Sequence, residues 1–351
     1  MSSKLSFACG PSYKGEHWSV EQLSKAIVGT SHLLPQSLER INILRTLIKD
    51  KLNIPDSFEL LLVNGSCTGA MSCLLQNLAY KRKILALVWD GFANDWADDA
   101  KFFQADVERI EFDCTQSKNL FNHQHTLEQD ILFTWTSTIS GIRPNALEFL
   151  STSGLKFCDA TACVGIEPLP WESLDAIGFS LQKGLGGEAG LGVCVLSPKA
   201  QKILQTTTHY VLKLFRIRNL LTYNNTTNTI SMLIVEDAIE QLKRIENMNQ
   251  HYQKAAENNE FVRKYIENST IFKPIIHPDY QSNSVFCFMN QIESHNTRDR
   301  IKEVTITADL PELTGHTRFQ PCYRIWTGPW LNTTHLKQGL DQLTKAYLDL
   351  L

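Results

Sequence analysis

The segment AIGFSLQKGLGGEAGLGVCVLS, residues 176–197, contains a single lysine, Lys183, between an apolar run and five glycines. This lysine is either an ordinary solvated loop residue or a group with a chemical task, and the segment alone leaves both readings open. The glycines do not fit the dinucleotide fingerprint G-x-G-x-x-G, because Ala189 stands where the third glycine belongs. The ATP-binding motif G-x-x-x-x-G-K-[ST] does not occur either, so a nucleotide loop is not expected.

Asp159 is the residue that gives Lys183 a chemical context. It closes the apolar run LKFCDAT (155–161), where a buried carboxylate is costly without a cationic partner, and a helix N-cap is the competing explanation. If the two runs are neighbouring strands, their ends bring a carboxylate and an amine into one crevice. Pyridoxal phosphate chemistry requires this pair, because the amine condenses with the aldehyde and the carboxylate keeps the pyridinium nitrogen protonated.

A phosphate seat is predicted in VNGSCTGAM (63–71), between a strand and a helix expected to start near Thr68. Free N–H groups and the positive end of a helix favour an anion there, although a plain turn is the alternative. Trp96 and Thr138 follow further predicted strands. Trp96 suits either the core or a stacking platform, and Thr138 suits either a site or a turn.

Composition limits the remaining possibilities. The chain has 351 residues, 43% of them hydrophobic and 20% charged, which is enough for two domains with buried cores. A net charge of −3 without basic runs predicts no nucleic-acid or membrane partner, and we see no export or membrane-spanning segment. Nine cysteines without C-x-x-C pairs argue against disulfides and a zinc site. We expect a cytoplasmic protein with small-molecule substrates and no metal.

Strands alternating with helices predict an α/β fold with a mainly parallel sheet. The apolar runs lie at 58–65, 83–90, 107–112, 130–136, 155–161, 176–181 and 192–197. Ser19 and Gln22 match a capping box before an early helix, and the pattern from Ser231 to Asn268 predicts one long helix. Later apolar runs at 284–290 and 323–328 suit a small α+β domain. We place the domain boundary between 1–244 and 245–351.

The order and spacing of several short blocks resembles the fold-type I, class V aminotransferases, and within them the phosphoserine aminotransferases. The blocks are FACGPS at 7–12, SHLLP, GSCTGAM, DWADDAKFF, TSTISG, DATA, FSLQKGLGGEAGLGVCVLSP, NTISMLIVED and YRIW. They span nearly the whole chain, and the Gln182-Lys183 pair is characteristic of the family. The resemblance implies a fold-type I pyridoxal phosphate transferase, with a large seven-stranded sheet domain and a smaller C-terminal α+β domain.

The same resemblance implies roles for individual residues. Lys183 is the lysine that attaches to the cofactor, Asp159 the pyridinium partner, Trp96 the stacking ring and Thr138 the hydrogen-bond partner of the phenolic oxygen. An Asn-Thr pair reaches the phosphate from the other subunit of a homodimer. The implied cofactor-binding set is Ser66, Cys67, Thr68, Trp96, Thr138, Asp159, Thr161, Gln182, Lys183, Asn228 and Thr229.

The substrate-binding set implied by the resemblance is His32, His316, Arg318 and Arg324. Arg324 matches the clamp on the α-carboxylate, for which a planar guanidinium is well suited. The family's N-terminal His-Arg pair is His32-Leu33 here, so one arginine is missing. Either Lys14, Arg216 or Arg218 replaces it, or the substrate differs. Ile230 also stands where the family usually has proline.

The resemblance implies transamination of 3-phosphohydroxypyruvate and L-glutamate to O-phospho-L-serine and 2-oxoglutarate, in serine biosynthesis. Lys183 is then the general acid and base. One alternative is a class V enzyme of the serine or alanine-glyoxylate type, with an unphosphorylated substrate. Another is a non-catalytic binding module with this fold, against which the retained Asp159, Gln182 and Lys183 speak.

Overall fold

The computed structural model describes residues 5–112, 128–143, 152–217 and 230–351. Two β-sheets organise these residues, a large one formed by strands between 59 and 196 and a small one formed by strands between 272 and 326. None of the helices in the described ranges is both long and apolar enough to cross a membrane.

The large sheet has one strand for each of the seven predicted apolar runs. The strands are β1 (Glu59–Asn64), β2 (Lys83–Val88), β3 (Asp106–Glu111), β4 (Asp130–Thr134), β5 (Lys156–Asp159), β6 (Ala176–Ser180) and β7 (Leu191–Leu196). Their order is β1-β7-β6-β5-β4-β2-β3, and only β7 runs antiparallel to its neighbours. The predicted α/β fold with a mainly parallel seven-stranded sheet is confirmed.

Burial explains why these runs form strands. Every residue of β4, β6 and β7 is buried, as expected for strands covered on both faces. Strand β3 lies at the edge of the sheet and has no buried residue. Because β1 and β7 are antiparallel, β1 ends at the same edge of the sheet as β2 to β6. Residues that follow these strands therefore gather along one edge.

Eight α-helices accompany the two sheets in the described ranges. They are α1 (Pro35–Leu52), α2 (Ser66–Leu78), α3 (Gly91–Phe102), α4 (Pro198–Gln205), α5 (Met232–Arg244), α6 (Met248–Glu267), α7 (Arg298–Thr307) and α8 (Thr333–Asp349). Helix α2 packs directly on β6 and β7. A Cβ on Gly178 of β6 would stand 2.6 Å from the sulfur of Met71, so glycine there permits this close approach.

The small sheet is antiparallel, with the order β10-β9-β8. Its strands are β8 (Phe272–Pro274), β9 (Val285–Asn290) and β10 (Tyr323–Trp326). The sequence predicted β9 and β10, but β8 is too short and proline-ended to give a strand pattern. Phe272, Phe288 and Tyr323 form an aromatic core beneath α6 and α8.

Two predictions about helices are wrong. Residues Val20–Lys25 form a 3₁₀ helix rather than an α-helix, and Ser19 makes no side-chain capping bond. The long helix predicted from Ser231 to Asn268 is two helices, α5 and α6. The side chain of Asn247 accepts hydrogen bonds from the amides of residues 249 and 250, so it starts a new helix instead of continuing the first. The domain boundary after residue 244 stays a prediction.

Candidate active site

The candidate site lies at the carboxyl edge of the large sheet, where parallel strands β4, β5 and β6 end side by side. Asp159 is the last residue of β5 and pairs with Gly178 of β6 in the sheet register. Lys183 follows the end of β6, and Thr138 follows the end of β4. The structure thus brings the predicted carboxylate, amine and hydroxyl to one place.

Asp159 is buried and both of its oxygens are engaged. The indole nitrogen of Trp96 donates to Oδ2 at 3.0 Å, and the amide of Thr161 donates to Oδ1 at 3.0 Å. Residues 161–166 form turns, so the alternative that Asp159 caps a following helix is wrong. These two donors hold the carboxylate in one orientation at the sheet edge.

Lys183 is buried, and its Nζ donates a hydrogen bond to Oγ1 of Thr138. Burial lowers the pKa of this amine, while the nearby charge of Asp159 acts in the opposite direction. A lowered pKa increases the fraction of neutral amine, which is the nucleophilic form. The chain passes close to the lysine at Gly10, where φ is +135° and a Cβ would stand 3.0 Å from Cε of Lys183. The surface-lysine reading is therefore wrong.

The main chain around Lys183 is fixed by the N-terminal segment. The amide of Ser12 donates to the carbonyl of Gln182 at 2.9 Å, and its hydroxyl donates to the carbonyl of Lys183 at 2.8 Å. The amide of Gly186 also donates to the Lys183 carbonyl, at 2.9 Å. Sequence reasoning gave Ser12 no role, although it belongs to the FACGPS block that carries the resemblance.

The predicted phosphate seat lies at the start of α2. The helix begins at Ser66, earlier than predicted, because Gly65 adopts φ +94° and turns the chain sharply. Ser66 makes two hydrogen bonds to Gly190. The Ser66 amide donates to the Gly190 carbonyl at 3.3 Å, and the Ser66 Oγ accepts from the Gly190 amide at 2.7 Å. No side chain caps the helix, so the amides of Cys67 and Thr68 stand in an open first turn.

Two buried polar atoms of predicted cofactor-binding residues have no partner in the part of the chain that the structure describes. They are Oε1 of Gln182 and Oγ1 of Thr161. A buried polar atom without a partner is costly unless a ligand or water satisfies it. An uncapped helix start, unpaired side chains, a buried amine and a fixed carboxylate together fit a phosphorylated aldehyde cofactor with a basic ring nitrogen. These residues therefore fit pyridoxal phosphate.

Arg324 of β10 contacts the main chain of Thr138. Its Nη1 donates to the Thr138 carbonyl at 2.9 Å, while its buried Nε has no partner among the described residues. The charge of Arg324 contributes to the lowered pKa of the Lys183 amine. A partly unsatisfied guanidinium next to the amine is suited to bind a carboxylate.

His316 and Arg318 lie against the first turn of α3. Arg318 forms an ion pair with Asp95 and stacks on Phe92, with its Cζ 4.8 Å from the ring centroid. Nδ1 of His316 accepts a hydrogen bond from the Arg318 amide at 3.1 Å. Burial and the charge of Arg324 lower the pKa of His316, and Arg318 adds to the effect. Arg318 is thus already paired with a carboxylate before any substrate binds.

The remaining predicted residues are placed as follows. His32 is buried, whereas Leu33 beside it is 60% exposed. Lys14 cannot replace the missing arginine, because its Nζ lies buried 2.7 Å from Oδ2 of Asp237. Arg216 donates to the carbonyl of residue 211 and stacks on residue 210. Arg218, Asn228 and Thr229 lie outside the described residues.

No protein-family model matches the chain. Among curated proteins, a phosphoserine aminotransferase from Methanosarcina mazei is 28% identical over 356 residues, covering 97% of this chain and 96% of that protein. This similarity agrees with the resemblance inferred from the short sequence blocks.

Solved structures show the same architecture. A phosphoserine aminotransferase from Cytophaga hutchinsonii gives a TM-score of 0.82 at 18% identity and covers 98% of this chain and 99% of that one. An alanine–glyoxylate aminotransferase from Nostoc gives 0.82 at 17% identity, with 99% and 96% covered. A PLP-bound phosphoserine aminotransferase from Trichomonas vaginalis gives 0.80 at 16% identity, with 97% and 99% covered. The chain therefore has the fold of the pyridoxal phosphate-dependent aminotransferases, and its sequence is similar over nearly its whole length to proteins named phosphoserine aminotransferase.

Proposed function

We propose that this chain is a pyridoxal phosphate-dependent aminotransferase that converts 3-phosphohydroxypyruvate and L-glutamate to O-phospho-L-serine and 2-oxoglutarate. The observation that carries the proposal is the placement of buried Lys183 and Asp159 at the ends of adjacent strands, beside an open helix start. A non-catalytic module has no need for a buried amine with a lowered pKa next to a fixed carboxylate.

We propose the following cofactor contacts, which the resemblance implies and with which this geometry is compatible. The amides of Cys67 and Thr68 hold the phosphate with the side chain of Gln182, and Thr138 binds the phenolic oxygen. Asp159, held by Trp96 and Thr161, would hold the ring nitrogen of the cofactor and keep it protonated. When bound, the cofactor would supply an aldehyde that condenses with an amine, with loss of water, and a ring that accepts electrons from the substrate Cα. Ser66 sets the turn by its bonds to Gly190.

Lys183 performs the proton transfer. Its Nζ takes the proton from Cα of the amino donor, which requires a neutral amine within hydrogen-bonding reach. Burial lowers the pKa of the amine and so increases the fraction of this form. Thr138, Ser12 and the bond from Gly186 hold the side chain and main chain of Lys183 in place.

Substrate carboxylates are proposed to bind Arg324, whose Nε is unpaired among the described residues. The distal phosphate, or the side-chain carboxylate of glutamate, is proposed to bind His316 and Arg318, and His32 joins them as the resemblance implies. One observation favours the alternative of an unphosphorylated substrate, as in a serine or alanine-glyoxylate enzyme. Arg318 is already neutralised by Asp95, and Leu33 brings no charge.

The proposal includes a cytoplasmic homodimer. Asn228 and Thr229 serve the phosphate only from a neighbouring subunit, so the site is complete only in the dimer. The domains are proposed as 1–244, which holds the cofactor, and 245–351, which carries Arg324 and Arg318.

Steady-state kinetics with phosphoserine, serine and alanine as amino donors test the substrate. We expect kcat/KM for phosphoserine to exceed the other two by at least about a hundredfold, because a dianion gains charge-assisted bonds that a hydroxyl or methyl group lacks. Equal values, or a preference for serine or alanine, would replace the phosphorylated substrate by the alternative.

A further inference from the structure

The carbonyl of Gly184, the residue after Lys183, accepts two side-chain hydrogen bonds. Nε2 of His251 lies 2.9 Å from this oxygen, and Nε1 of Trp330 lies 3.0 Å from it. A carbonyl oxygen has two lone pairs, so the two donors fill its capacity. The peptide that follows the lysine is thus held from outside the large sheet.

Both donors come from the C-terminal part of the chain. His251 lies in the first turns of α6, and Trp330 follows β10 by four residues. The two rings meet edge to face, with centroids 5.1 Å apart and an interplanar angle of 72°. The guanidinium of Arg244 stacks on the indole of Trp330, with its Cζ 4.8 Å from the ring centroid. These contacts fix the directions in which the two N–H groups point.

The glycines of the loop allow the donors to reach the backbone. Gly186 has φ +72°, and a Cβ there would stand 2.4 Å from Nε1 of Trp330. A Cβ on Gly184 would stand 2.4 Å from the carbonyl oxygen of Val164. No side chain fits at either position without a shift of the backbone or of Trp330. Glycines at 184 and 186 therefore allow Trp330 and the chain at Val164 to approach the loop closely.

The hydrogen bond fixes the tautomer of His251. A carbonyl oxygen cannot donate, so Nε2 must carry the proton. Burial lowers the pKa of His251 to about 4, and the nearby Lys254 adds to the effect. The ring is therefore neutral near pH 7. The hydrogen bond from His251 thus places no charge beside the loop that follows Lys183.

The segment between Arg324 and Trp330 contacts the lysine environment at both of its ends. Arg324 donates to the carbonyl of Thr138, whose hydroxyl accepts from Lys183, and Trp330 donates to the carbonyl of Gly184. The side chain of Lys183 is linked to this segment by two hydrogen bonds through Thr138, and its main chain by one hydrogen bond to the neighbouring Gly184. The segment therefore contacts both residues that hold Lys183 in place, Thr138 and Gly184.

We infer that His251 and Trp330 are positioning residues, which clamp the Gly184 carbonyl and thereby tie the placement of the Lys183 amine to the segment that carries Arg324. This inference rests on the proposed function of Lys183 as the reacting amine. A carboxylate bound at Arg324 then contacts the same segment that, through Trp330, holds the loop after Lys183.

The variants that test this clamp remove one donor at a time. Trp330→Phe keeps the aromatic volume without the N–H, and His251→Met keeps bulk without a donor. His251→Gln retains an N–H at a similar distance and is the conservative rescue. Trp326→Phe is the matched control, because the Nε1 of Trp326 is buried and has no partner among the described residues.

Hydrogen exchange in the cofactor-free protein provides a readout independent of activity. The amide of Gly186 bonds to the carbonyl of Lys183, and the amide of Gly187 to the carbonyl of Leu181. We expect these amides to exchange at least about tenfold faster in the double variant Trp330→Phe, His251→Met than in the wild type. The single variants should show a smaller increase in exchange rate, because one donor remains. Trp326→Phe should show no change in exchange rate.

Kinetics of the holoenzyme provide the second readout. We expect the double variant to lose at least about tenfold in kcat while KM for the amino donor stays within about threefold, since Arg324 is intact. His251→Gln in the Trp330→Phe background should recover most of that loss relative to His251→Met. Unchanged exchange in the double variant, or equal losses in Trp326→Phe, would overturn the inference. A wild type without transaminase activity would contradict the proposed function instead, and the exchange comparison would still decide the clamp.

Discussion

The indole nitrogen of Trp96 donates a hydrogen bond to Oδ2 of Asp159, 3.0 Å away. Trp96 lies on α3 and Asp159 at the end of β5, so the bond joins a helix to the sheet edge. It leaves Asp159 with one fixed orientation, which a partner for a ring nitrogen needs. The stacking role proposed for Trp96 therefore goes together with a second role, that of holding the carboxylate.

This relationship predicts the effect of Trp96→Phe. The variant keeps an aromatic ring but removes one of the two donors to Asp159, so the carboxylate loses one charge-assisted hydrogen bond. We expect the Kd for pyridoxal phosphate to rise about tenfold, measured by titration of the cofactor-free protein. Asp159→Asn should weaken binding further and lower kcat at least about a hundredfold. A Kd unchanged in Trp96→Phe would show that the amide of Thr161 alone holds the carboxylate.

The buried ion pair between Lys14 and Asp237 predicts a large change in stability. Asp237 also accepts from Nε1 of Trp18 at 2.9 Å and from the amide of Glu188 at 2.7 Å. Lys14→Met leaves this buried carboxylate without its cation, so we expect a loss of about 3 kcal/mol in the free energy of unfolding.

The matched control for Lys14→Met is Lys264→Met, which removes the exposed pair with Glu260. That change should cost less than about 1 kcal/mol, because exposed pairs are screened by solvent. Denaturant unfolding measures both variants. Equal losses would mean that burial of the Lys14 pair does not govern its contribution.

His251 predicts a specific pH dependence of stability. Its pKa is lowered by burial from an ordinary value of 6.5 to about 4 in the folded protein. The unfolded chain therefore binds the proton first as the pH falls, and the stability contribution, complete above about pH 6.5, is lost between pH 6.5 and pH 4. The loss amounts to at most about 3 kcal/mol.

The difference between wild type and His251→Gln isolates this effect from other titrating groups. We expect the wild type to lose more stability than the variant as the pH falls from 7 to 4, measured by denaturant unfolding at each pH. Parallel curves for the two proteins would show that His251 titrates normally in the folded state.

Arg318 predicts a change in substrate preference. If it holds the distal phosphate, Arg318→Ala should lower kcat/KM for phosphoserine about ten- to a hundredfold, while alanine as donor is much less affected. Arg324→Ala should lower both, because the α-carboxylate is common to all donors. Equal losses for the two donors in Arg318→Ala would favour an unphosphorylated substrate.

Sequence reasoning located the central residues because they obey a local rule. Asp159 and Lys183 each follow an apolar run, and the ends of parallel strands meet at one edge of a sheet. Sequence reasoning did not find Ser12, His251 and Trp330. These residues reach the loop around Lys183 from remote segments and bind only its main chain. No local pattern marks a side chain that donates to a distant carbonyl.

The break between α5 and α6 shows a different limit. The amphipathic pattern continues through residues 245–247, and it is the capping bond of Asn247 that starts a new helix. The pairing of Arg318 with Asp95 was equally hidden, since it joins two parts of the chain more than two hundred residues apart. A local capping bond decided the first outcome, and a tertiary contact decided the second.

The most direct test of the account is to trap the cofactor on the protein. Purified wild type should be yellow, and borohydride reduction should abolish its visible absorption and leave the cofactor on the peptide that contains Lys183. Lys183→Ala should carry no such label and should have no measurable turnover. A label on another lysine, or ordinary transaminase activity in Lys183→Ala, would contradict the central claim that Lys183 is the reacting amine.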